Sequence, residues 1–160
     1  MRAERGFTYL GILFMVFLVG FAMATAGIVW STALKREREQ QLLWTGSQFR
    51  RAIAGFYNNG PPGLREYPRD LTDLLEDRRG PVLRRHLRRL YADPVTGAAD
   101  WQLVRLPDLS IIGVASRSSA QPLKLAGFGD EDVTFENANC YCDWRFVYLP
   151  ALGRVIPTGR

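Results

Sequence analysis

Hydrophobic and polar positions divide this chain into three stretches. A short head carrying Arg2 and Arg5 ends in Gly6, and from Phe7 to Leu34 no residue is charged. At about 1.5 Å per residue, a helix of that run exceeds the roughly 20 residues needed to span a bilayer. From Lys35 onward polar residues return. Leu42, Phe49, Ile53 and Phe56 then stand at i, i+7, i+11 and i+14, with Gly46 and Ala52 in the same stripe. That spacing is the period of a helix with one apolar face. Arg36, Glu37, Arg38, Glu39, Gln40, Arg50 and Arg51 decorate the remainder. The motif NNGPPG ends the helix, because glycine and proline do not continue it. One helix is therefore predicted from about Phe7 to about Tyr57, apolar all round in its first half and amphipathic in its second.

The rest of the chain alternates in shorter units. Asp70 or Thr72 is placed to cap a short helix through about Asp77, with Leu71, Leu74 and Leu75 inward. Pro81 suits the first turn of a second helix, which would bury Leu83, Leu87 and Leu90 and turn the arginines and His86 outward. Three runs rich in branched and aromatic residues predict strands: Trp101–Leu106, Ser110–Ser116 and Trp144–Leu149. The tripeptide Leu106–Asp108 is short enough for a hairpin, and GRVIP near the end reads as a further short strand. The fold class is α+β, with the helix packed on a small antiparallel sheet.

Composition narrows the chemistry. The 160 residues suit one domain with an appendage, and the net charge of +5 permits contact with anionic surfaces without requiring it. There are two cysteines, Cys140 and Cys142, and one histidine, His86. That set cannot build a four-ligand zinc module. No phosphate-cradling glycine motif, Ser/His/Asp set or metal triad is present, so the chain is not expected to be an enzyme.

The N-terminus has three readings. Small residues at Ala22, Ala24 and Ala26 could mark cleavage of a secretory signal and release of a soluble periplasmic interaction domain, although a signal core is usually about 7–15 residues long. A plain membrane anchor is the second, and Lys35, Arg36 and Arg38 on its far side leave its orientation open. The third uses the junction Arg5-Gly6-Phe7-Thr8. The stretch RGFTYLGILFMVFLVG resembles the start of the type IV pilin and type II secretion pseudopilin superfamily. The resemblance implies that a prepilin peptidase cuts after Gly6 and that the new N-terminal Phe7 is methylated. It implies a pilin-like fold, a leader at 1–6, a transmembrane and assembly helix at 7–34, an amphipathic continuation at 35–57 and a periplasmic head at 58–160. Expected partners are other pilin or pseudopilin subunits, the peptidase, an inner-membrane platform with its ATPase, and lipid. The expected location is the inner membrane, crossed once, and the expected role is a pseudopilus that supports protein export. Thr8 and Gly11 are the assembly positions. The family usually carries glutamate where this chain has Gly11, and a minor subunit at a filament tip can lack it.

Two charged clusters remain. Arg84, Arg85, Arg88 and Arg89 form a basic patch suited to lipid headgroups or, in a competence pseudopilin, to DNA phosphates. The plainer reading is a solvated face, and no aromatic interleaving marks a nucleic-acid platform. Asp130, Glu131, Asp132 and Asp143 lie in an acidic loop. Calcium takes six to eight oxygens from such groups, and the resemblance implies a calcium site in the C-terminal loops. No other cofactor is expected. Cys140 and Cys142 admit free thiols or a labile bridge closing a small ring.

Overall fold

The computed structural model describes residues 5–60 and 65–150, with side chains except at 5–8, 22 and 24–29. The chain divides into two compact units, Met1–Glu37 and Arg38–Arg160. Helix α1 (Arg5–Asn58) supplies residues to both. No proline interrupts it. Its end is closed by neighbours: Asn59 N donates to Gly55 O at 3.0 Å, Arg79 Nη2 to Phe56 O at 2.5 Å, and Arg84 Nη1 to Asn59 O at 3.3 Å. These bonds satisfy carbonyls that a helix C-terminus otherwise leaves unpaired.

In the second unit the predicted stripe is the core. Leu42, Phe49, Ala52, Ile53 and Phe56 are buried together with Ile111, Val114, Phe135, Tyr141, Trp144 and Phe146. The sheet has three antiparallel strands in the order β1 (Gln102–Arg105), β2 (Ile111–Ala115), β3 (Phe146–Val147). β2 is central and every residue of it is buried. Gly113 pairs with Val147, and a Cβ there would meet the Phe146 carbonyl at 2.5 Å, so only glycine lets β3 lie so close. The β1–β2 hairpin turns where expected, with Leu109 in the left-handed region at φ 67°. The GRVIP strand falls outside the described residues, as do leader residues 1–4.

Two expectations about the middle of the chain are corrected. The first short helix is a single 3-10 turn, Leu71–Leu74, capped by Asp70 as its sequence suggests. The second helix, over Pro81 to Leu90, does not form. Asp77 and Arg84 instead pair as an isolated antiparallel bridge, with N–O distances of 2.8 and 3.1 Å. Leu87 is buried, but Leu83 and Leu90 are exposed. The reason is tertiary. Asp77 is 4 % exposed and draws Arg79 and His86 onto its carboxylate, which holds the segment in a loop.

Candidate functional site

The unit Met1–Glu37 presents apolar side chains to its surroundings. Tyr9 through Phe21 are all exposed, among them Phe14, Met15, Phe17 and Phe21. At about 3.6 residues per turn, a consecutive run of that length covers every side of the helix. Trp30 continues the surface at 71 % exposure. Contiguous apolar area of this kind marks an interaction or membrane surface. Among the described residues no helix is long and apolar enough to cross a membrane. Gly6 and Phe7 lie in the first turn of α1, while the side chains of Phe7 and Thr8 are outside the described residues. A Cβ added at Gly11 or Gly20 would meet nothing within 4 Å, so both leave room for a close neighbour.

The predicted basic patch has no helix to carry it. Without the second helix, Arg84, Arg85, Arg88 and Arg89 share no helix face. The Arg84 guanidinium reaches the Asn59 carbonyl, and Arg89 lies 5.1 Å from the Tyr91 ring centre. Arg85 and Arg88 are exposed. His86 is not outward: its side chain is 8 % exposed, and Nε2 stands 3.0 Å from Asp77 Oδ2. Arg79 grips the same carboxylate through Nε and Nη2, both at 2.9 Å. Those bonds, helped by His86, hold the Asp77 carboxyl far below the ordinary carboxylate range.

The acidic loop is occupied by a side chain of α1. Arg50 donates to Glu131 Oε2 at 3.1 Å and to Asp132 Oδ1 at 2.6 Å. Arg50 was expected on the polar face, but it is only 8 % exposed. Asp143 stands elsewhere, its Oδ2 accepting from Asn139 N at 3.2 Å and Cys140 N at 3.3 Å. Among the described residues Asp130, Glu131, Asp132 and Asp143 form no group close enough to share one ion. Among the described residues the one group with metal-ligand proximity is Cys140, Cys142 and Asp143, whose ligand atoms lie within 4.8 Å of one another. The two cysteines are joined as a disulfide.

Glu39 is a further correction. It was expected on the polar face, yet it is 4 % exposed. Its Oε1 accepts from the Tyr141 hydroxyl at 3.0 Å, from Lys124 N at 3.3 Å and from Leu123 N. Burial, then the bond to Glu39, pushes the Tyr141 phenol well above its ordinary range. A buried acid among exposed ones has no signature in the local sequence, because its partners come from the far end of the chain. No family model, curated protein or solved structure matches this chain.

Proposed function

We propose that this chain is a prepilin-like subunit of a type II secretion or type IV pilus machine. In this reading it is cut after Gly6, anchored in the inner membrane by residues 7–34, and carries its head in the periplasm. It assembles through its N-terminal helix into a short pseudopilus that supports protein export. One observation carries the proposal. Tyr9 through Phe21 expose apolar side chains on every face of α1, and the same helix runs on into a folded unit with its own core. A surface of that kind needs lipid or other helices around it.

The mechanism is association. In lipid no hydrophobic force drives helices together, so packing of small residues decides the contact. Gly11, Gly20, Ala22, Ala24, Ala26 and Gly27 recur along the segment. Subunits would exchange lipid for neighbouring helices one at a time, with the driving ATPase on another protein. The glycine at position 11 removes the carboxylate used by most relatives in the resembling family and fits a tip or initiating subunit.

Mass spectrometry of the mature N-terminus tests the reading, with protein prepared from membranes with and without prepilin peptidase. The expected product begins at Phe7, is N-methylated, and depends on that enzyme. A product beginning at Thr25 or Gly27 means an exported soluble domain and overturns the proposal. An intact Met1 end leaves a simple anchored domain and overturns it equally.

A further inference from the structure

We propose that Cys140, Cys142 and Asp143 form a redox-gated site for a thiophilic divalent cation of the zinc class, closed while the cysteines are bridged and open once they are reduced. The site plays no part in the filament reading and does not depend on it. Three features converge on it. The two sulfurs and a carboxylate oxygen lie within 4.8 Å of one another. The Asp143 carboxylate is held in place through Oδ2, which accepts the Asn139 and Cys140 amides, while among the described residues no donor is bonded to Oδ1. The residue between the cysteines, Tyr141, is 2 % exposed and donates to the buried Glu39. Cys140 caps, and Cys142 lies within, a 3-10 turn (Tyr141–Asp143) that is pinned to α1 through the phenol, a contact that does not involve the bridge itself.

Opening the site requires two electrons and two protons. A dithiol supplies both: one of its thiolates attacks a bridge sulfur, its second thiol resolves the mixed disulfide, and it leaves as a disulfide. The chain is left with two thiols. A cation then displaces both protons, because the thiolate is the ligand. Zinc–thiolate bonds of about 2.3 Å in a tetrahedral arrangement set the sulfurs roughly 3.7 Å apart, a separation that side-chain rotation provides once the bridge is cut. Asp143 Oδ1 gives a third bond, and water fills the fourth position. Two thiolates select zinc-like cations over calcium or magnesium, which prefer oxygen alone.

The test uses the full chain in detergent, with Co²⁺ as the spectroscopic probe. A phosphine reduces the bridge, becoming the phosphine oxide as water supplies the oxygen and the two protons. The reduced protein should bind one equivalent of Co²⁺ with thiolate-to-metal charge-transfer absorption, and Zn²⁺ should displace it. The bridged protein should show no such absorption, a control that needs no substitution. Cys142→Ser should abolish it. Asp143→Asn should weaken binding by about tenfold or more, at least the cost of losing an outer-shell partner. Absence of the absorption in the reduced protein overturns the proposal, as does equal binding by bridged protein or by Cys142→Ser. Near-ultraviolet circular dichroism of the buried aromatic side chains, Tyr141 and Trp144 among them, reports on the packing around the turn, and its collapse on reduction would overturn the proposal too.

Discussion

A carboxylate on the buried side of α1 holds a loop 84 positions away. Glu39 accepts from the Leu123 amide, the Lys124 amide and the Tyr141 hydroxyl, all from the second half of the chain. Replacing it with leucine leaves those donors without an acceptor. Each such loss costs about 1–3 kcal/mol, so Glu39→Leu should destabilise the fold by at least about 3 kcal/mol in denaturant titration, while Tyr141→Phe should cost about 1 kcal/mol. Neither residue is legible in sequence, since Glu39 stands among the charged residues Arg36, Glu37 and Arg38 and only tertiary contact sets it apart. Asp77 carries a second prediction, on pH. Its carboxyl is depressed in the fold by Arg79 and His86, against about 3.9 when unfolded. The stability it contributes is therefore complete above the unfolded value and is lost as pH falls through and below it. Thermal midpoints should drop between about pH 5 and pH 2, and Asp77→Asn should flatten that slope while lowering the midpoint at neutral pH. An Asp77→Asn slope equal to the parent's would show that other carboxylates carry the acid transition.

At the scale of elements, α1 packs tightly against the Phe146 side chain of β3 at Gly46. A methyl there would fall onto the Phe146 ring. Glycine to alanine inside a helix normally gains up to about 1 kcal/mol. Here overpacking should reverse the sign, and Gly46→Ala should cost about 1–3 kcal/mol, read as a lower thermal midpoint. Gain of stability on that change would mean that the helix and β3 stand further apart than described. The elements themselves were legible to different degrees. The stripe Leu42, Phe49, Ile53 and Phe56 predicted both α1 and its buried face, because period and burial agree along a long segment. The three strands were legible from branched and aromatic runs, and the hairpin from the short Leu106–Asp108 link. The segment after Pro81 was misread. Its leucines fit a helical period, but helix propensity is worth only tenths of a kcal/mol per residue. The buried Asp77 cluster and the Asp77–Arg84 bridge outweigh it. The predicted basic face was lost with that helix.

For the whole molecule, the two units differ in what they need from their surroundings. Among the described residues every member of the buried cluster lies at Leu42 or beyond, and the earliest buried residue is Glu39. Among the described residues none before Leu42 belongs to that core, and Tyr9 to Phe21 are exposed to whatever surrounds the chain. At about 25 cal/mol per Å² of apolar surface, a fully exposed helix of large side chains in water carries a strong drive to associate. A chain beginning at Lys35 should therefore stay monomeric in plain buffer and melt cooperatively. The full chain should require detergent or lipid, and should sediment as aggregate or float with vesicles when the detergent is removed. Grafting charges onto opposite sides of the exposed run, as in Met15→Glu with Phe17→Glu, should release the full chain from vesicles without moving the thermal midpoint of the folded unit. A drop in that midpoint would instead tie the apolar run to the core. The distinction is physical: apolar side chains left exposed around a helix cost free energy in water, so lipid or other chains that cover Tyr9 to Phe21 should lower it.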